Sequence, residues 1–184
     1  MSRALWTFLL LASCQTALAS DWKYLGMVSP ESGDLVLFYD VDSVQRSGPS
    51  VRFWVKSISA AALKKAGTPS SKKATDALVK TVSDKIGSGY VPPLLGSPSF
   101  RQQLGDGFPE AMVAIVVMEH NASRVPRLVA RFLFEIECGQ KMSRVLEGTL
   151  FDSKGNPAGT SSGEWTHIAP DTNFAWFSEV ICPG

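Results

Sequence analysis

Glu135 and Glu137 are the carboxylates whose spacing comes closest to an acid–base pair. They are i,i+2 neighbours in the alternating run Leu128–Cys138, so both project from one side of a strand. A glycosidase could use two carboxyl groups so placed, given a sugar-binding cleft between them. Nothing in the flanking sequence signals such a cleft, and an exposed polar strand face is the expected arrangement. His120 and His167 have no recognisable nucleophile or acid partner and are expected to be structural or solvated. Asp40 and Asp42 lack the following glycine and bidentate glutamate of a calcium loop, so they read as a turn whose carboxylates bond nearby backbone. No catalytic residue, cofactor or metal site is therefore assigned. An enzyme would have to rest on Glu135, Glu137 and His167, whose spacing fits no catalytic template.

The cysteines speak to compartment. Met1–Ala19 has a positive Arg3, an apolar stretch from Ala4 to Ala12, and the small-x-small triplet Ala17-Leu18-Ala19. This is the pattern of an export signal cleaved between Ala19 and Ser20. The apolar stretch falls short of the roughly 20 residues that cross a bilayer. A second processing route exists in Leu11-Ala12-Ser13-Cys14, which resembles a lipobox and would make Cys14 a lipidated first residue. Either route leaves Cys138 and Cys182 as an even pair in an oxidising compartment, and a disulfide between them is expected. Closing a loop of about 45 residues would contribute roughly 4 kcal/mol in the chain-entropy account. There is no CxxC and no adjacent histidine, so neither thiol redox catalysis nor zinc binding is indicated.

Composition narrows the class further. The 184 residues carry 18 basic and 17 acidic side chains, and loss of Arg3 with the signal balances them. Such neutrality argues against general nucleic-acid binding, which depends on a basic excess. Membrane attachment would come only through a lipid on Cys14.

Elements follow from periodicity. Trp22–Gly26 reads as an edge strand, Leu35–Tyr39 as a second, and Val51–Lys56 as a third with Val51, Phe53 and Val55 on its buried side. Together they predict an antiparallel meander with one buried face. From Ser57 to about residue 127 the composition changes. Ser71–Ile86 fits an amphipathic helix through Ala74, Leu78, Val82 and Ile86, and six lysines between Lys64 and Lys85 give it a local positive excess. Ser88–Gly107 reads as irregular. The β-branched content of Ala111–Met118 favours a strand, and Asn121-Ala122-Ser123, though a glycosylation-type triplet, suits a hairpin turn. Leu128–Cys138 and Arg144–Phe151 are strands, Asp152–Pro157 a turn and Gly159–Gly163 a flexible segment. Trp165–Ile168 is brief and extended. Asp171 is positioned to cap a helix over Thr172–Cys182 that ends at Pro183, with Phe174, Phe177 and Ile181 as its apolar stripe.

The order of two residue blocks resembles the surface-adhesin protein E-like family of bacterial envelope proteins. The first holds Trp22-Lys23-Tyr24-Leu25-Gly26, Phe38-Tyr39-Asp40, Asp42-Ser43-Val44, Arg46-Ser47-Gly48 and Val51-Arg52-Phe53-Trp54-Val55-Lys56. The second holds Phe134-Glu135-Ile136-Glu137-Cys138, Arg144, Asp152-Ser153-Lys154-Gly155, Trp165-Thr166-His167-Ile168, Pro170-Asp171-Thr172 and Val180-Ile181-Cys182. The resemblance implies a single α+β domain over 20–184, an antiparallel sheet with a carboxy-terminal helix tied to it by the disulfide. It implies a non-enzymatic exported protein of the periplasm or cell surface, with partners among host matrix or envelope proteins. A periplasmic inhibitor of a cell-wall hydrolase and a structural envelope component are the alternatives. The segment 57–127 is an insertion relative to that pattern, so no ligand-binding residue is carried over.

Overall fold

Residues 20–182 are described by the computed structural model. The export signal Met1–Ala19, the alternative lipid acceptor Cys14 and the helix-ending Pro183 lie outside the described residues. Eight strands form one antiparallel sheet: β1 (Trp22–Val28), β2 (Leu35–Asp40), β3 (Gln45–Ser47), β4 (Ser50–Ser59), β5 (Ala130–Glu137), β6 (Met142–Phe151), β7 (Pro157–Ser161) and β8 (Thr166–His167). The main order is β1-β2-β4-β5-β6-β7, with β3 paired to β4 and β8 to β6. Trp22–Gly26 is thus an edge strand, as its alternation suggested. Gly159–Gly163 is not simply flexible. Its first three residues belong to β7 and pair with Leu150, Thr149 and Gly148, because an adjacent strand edge supplies ladder partners that outweigh weak local propensity.

Five helices complete the fold: α1 (Ala60–Gly67), α2 (Lys72–Gly87), α3 (Pro98–Leu104), α4 (Phe108–Ala122) and α5 (Asn173–Ile181). The insertion is helical, but two of its parts differ from expectation. Ala111–Met118 lies inside α4 rather than in a strand. The apolar run is only the middle of a 15-residue element that has Pro109 in its first turn, and length rather than β-branching decides such runs. Asn121 and Ala122 consequently close α4 instead of turning a hairpin, and Asn121 is buried. Ser88–Gly107, expected to be irregular, contains a 3-10 turn at Pro93–Gly96 and then α3. Ser97 Oγ accepts from the Phe100 N–H at 3.0 Å, and Pro98 occupies the first turn, a start signal readable in the sequence. At α5 the cap is Thr172, whose hydroxyl accepts from the Ala175 N–H at 3.2 Å, and not Asp171.

The sheet is covered on both faces near β1 and β2. On one side Leu25, Leu37, Tyr39, Val51, Phe53 and Ile136 pack against Trp176, Phe177 and Ile181 of α5. The Phe177 ring lies 4.6 Å from that of Tyr39 and 5.0 Å from that of Phe53. On the other side Val36, Phe38 and Ile58 meet Leu63 of α1 and Ala122 of α4. The meander therefore has two buried faces here, not one. The unbroken apolar run Leu35–Tyr39 is what a doubly covered strand requires. Lys56, placed by alternation on a polar face, is instead 5% exposed beneath α4. Its ammonium donates to the Ala122 carbonyl at 3.1 Å and sits 4.4 Å over the Trp22 ring, satisfying one of the last carbonyls of the helix.

Cys138, just past β5, and Cys182, just past α5, form a disulfide with Cα atoms 5.6 Å apart. The expected stripe of Phe174, Phe177 and Ile181 faces the sheet beside it. Elements from both covering layers also reach the β1 edge. Glu119 of α4 accepts the Tyr24 N–H, and Asn173 of α5 donates to the Met27 carbonyl at 2.7 Å. Side-chain occupancy of edge donors and acceptors blunts pairing with another chain. Gly26, with φ +154°, makes the approach of α5 feasible: a Cβ there would lie 2.2 Å from Asn173 Cγ.

Candidate binding surface

Beyond α1 and α4, the same sheet face continues without a helical cover over the first half of β4 and over β5 and β6. Strand alternation places Arg52 and Trp54 of β4, Arg131, Leu133 and Glu135 of β5, and Arg144 of β6 there. Register brings Arg52 opposite Glu135, Trp54 opposite Leu133, and Glu135 opposite Arg144. Glu135 is not part of an exposed polar face as expected. It is 3% exposed, and two guanidinium groups enclose it. Arg52 Nε donates to Oε1 at 2.8 Å, while Arg144 Nε and a terminal nitrogen donate to Oε2 at 2.8 and 2.5 Å. Burial by itself would raise the Glu135 pKa, but the hydrogen bonds and charges of Arg52 and Arg144 outweigh it and hold the carboxyl below its usual range.

Two further contacts fix the arginines in plane. The Arg131 guanidinium lies 4.3 Å over the Trp54 ring, and that of Arg144 lies 4.4 Å over Trp165. A guanidinium stacked on an aromatic ring keeps outward-facing N–H donors while losing little further freedom when a partner binds. Glu137, on the same side of β5 as Glu135, accepts from Ser50 Oγ at 2.9 Å and borders a cavity of about 370 Å3 with Gln140, Met142 and Trp165. The two carboxylates that spacing singled out are therefore on one face, each held by its own partners. The arrangement is suited to contact with a polar or acidic protein surface, since tryptophan and arginine supply much of the binding energy at protein interfaces.

The other sequence candidates are separate from this face. Asp40 Oδ1 accepts from the Asp42 N–H at 3.2 Å and Ser43 Oγ donates to the Asp40 carbonyl at 2.7 Å, a local turn as expected. His167 is exposed on β8, opposite Met142. His120 has a buried Nε2 without a hydrogen-bond partner, and burial, with Arg124 and Lys85 nearby, lowers its pKa. Among the described residues no three His, Cys, Asp or Glu side chains are grouped to hold a metal, and no helix is long and apolar enough to cross a membrane.

Two features escaped the sequence. Glu119, in an apolar run, is a buried acceptor for Tyr24, Lys85 and Tyr90. Its neighbours come from three segments, so no local pattern could have signalled the cluster. Beside the disulfide lies a groove of about 620 Å3 bordered by Ile136, Ile168, Trp176, Lys141 and Asp171. Lys141 and Asp171 are the two non-glycine residues with positive φ, at 52° and 57°. The Ile168 N–H bonds the Lys141 carbonyl at 2.9 Å, tying the two turns together. No family model, curated protein or solved structure matches the chain.

Proposed function

We propose that this protein is an exported, non-catalytic domain of the bacterial envelope that binds a protein partner through the uncovered face of β4, β5 and β6. The observation that carries the reading is the pair of Arg–Trp stacks, Arg131 on Trp54 and Arg144 on Trp165, flanking the buried Glu135. Side chains kept flat and half-solvated in this way are prepared for association and have no evident task in the core. The disulfide supports an oxidising compartment, and an export signal over Met1–Ala19 agrees with it. Periplasm or cell surface is the location that follows, the latter if Cys14 is lipidated. The resemblance to surface-adhesin protein E-like proteins points to envelope or host matrix proteins as the partner class. The test is capture from envelope extracts and from purified matrix proteins by the disulfide-bonded chain, compared with Trp54→Ala/Arg131→Ala. Selective capture lost in the double variant supports the reading, and identical capture by both proteins contradicts it.

A further inference from the structure

The lysine-rich insertion, unused by that reading, borders a recess of different chemistry. Between α1, α4 and the end of β1 is a cavity of about 440 Å3 walled by Met27, Val36, Leu63 and Met118. Its volume is within the range of small-ligand sites. Met27 is 49% exposed, a large apolar side chain left in water at the wall of an apolar hollow. Lys64 is the charged residue lining it.

The polar features are asymmetric. Lys80 pairs with Asp84 at 2.6 Å and Lys85 with Glu119 at 3.4 Å. Lys64, Lys65, Lys72 and Lys73 form no ion pair among the described residues. The rim is therefore positive around an apolar interior. Asn121 also lines the recess. It is 3% exposed, and its Oδ1 has no hydrogen-bond partner among the described residues. Gly67 makes room for its amide, because a Cβ there would lie 2.2 Å from Nδ2. A buried acceptor left unmet costs about 1–3 kcal/mol, and a ligand with an N–H or O–H next to its head would recover part of that.

We propose that this recess binds one molecule of an anionic acyl amphiphile. Its alkyl chain lies along Met27, Val36, Leu63 and Met118, its acidic head meets Lys64, and a donor adjoining the head serves Asn121. Apolar burial supplies the affinity, and the lysine supplies the preference for negative charge.

N-dodecanoylglycine, which has both the amide N–H and the carboxylate, is the probe. It is titrated below its micelle concentration into the full disulfide-bonded chain by calorimetry. One-to-one saturable binding is expected, with dodecyltrimethylammonium binding at least tenfold more weakly. Lys64→Ala, an exposed change, should weaken the probe about fivefold without altering Tm, in keeping with one partly solvated ion pair. Dodecanoate, lacking the amide, should bind about tenfold more weakly, the value of one hydrogen bond to a buried acceptor. Absence of saturable binding, association with anionic vesicles only, or affinity indifferent to head charge and to Lys64→Ala would overturn the proposal. Equal affinity for dodecanoate would overturn the role given to Asn121.

Discussion

Glu119 accepts a hydrogen bond from the backbone N–H of Tyr24 at 3.1 Å, across 95 positions of sequence. The same carboxylate takes the Tyr90 hydroxyl at 2.7 Å and the Lys85 ammonium at 3.4 Å. One buried group thus joins α4, the end of α2, the loop after it and the edge of the sheet.

Glu119→Ala leaves three donors without their acceptor, two of them previously sheltered from water. A loss of about 3 kcal/mol in urea unfolding is expected, since hydrogen bonds to a buried charge are worth about 1.5–3 kcal/mol each and do not add fully. The alkaline limb tests the same cluster. Burial first, then the bond to Glu119, raises the Tyr90 pKa above its ordinary 10.0. The protonated phenol is thus favoured in the folded state. Its contribution is complete below pH 10 and is lost as the pH climbs past that value towards the folded pKa. Tyr90→Phe should lower stability at pH 8 by about 1 kcal/mol and flatten the decline above pH 10.

Glu135 gives the opposite pH signature. Its folded pKa is held below 4.5 despite its burial, so its ion pairs stabilise above pH 4.5 and fail as the pH falls through the folded value. Glu135→Gln should cost about 2 kcal/mol at pH 7, moderated because the Arg52 side chain is half exposed. Below pH 3 variant and parent should converge. A constant gap across the acid range, read from denaturant midpoints, would contradict the assignment.

Lys56 is a third titration. Burial, only partly opposed by Asp40, lowers its pKa to about 8. Between pH 8 and the unfolded value of 10.5 the unfolded chain holds the extra proton, so this group makes stability rise with pH over that window. In Lys56→Met the rise between pH 8 and 10 should vanish, while the methionine stem keeps its packing on Trp22 and Phe38. Parallel pH profiles for the two proteins would refute this.

Removing the disulfide by Cys138→Ser/Cys182→Ser should lower stability by about 3 kcal/mol. The loss should appear as well as faster hydrogen exchange in α5, which the bond holds against β5. Exchange in α2, remote from the bond, should be unchanged.

Much of the sheet was legible because its strands keep period two and end at turn residues. The disulfide followed from cysteine parity and the α5 stripe from Phe174, Phe177 and Ile181. The α4 error came from weighing Val113, Val116 and Val117 as β-formers when the length of the element decides. Lys56 and Glu135 were misplaced for a different reason. Alternation assigns a side of the sheet, but it does not say which side a distant helix or a pair of arginines will cover. The uncovered Arg–Trp face depends on the cross-strand register of β4, β5 and β6, and on Trp165 reaching Arg144 from another segment. Residue order alone does not carry such contacts.

The central claim is that the uncovered face meets a protein partner. A photo-cross-linking amino acid in place of Leu133, between the stacks, tests it most directly in intact cells, with the same substitution at Thr75 on α2 as the control. The account predicts a discrete cross-linked protein adduct from position 133 that is absent from position 75 and lost on adding Trp54→Ala. No adduct at 133, or the same adducts from both positions, would contradict it.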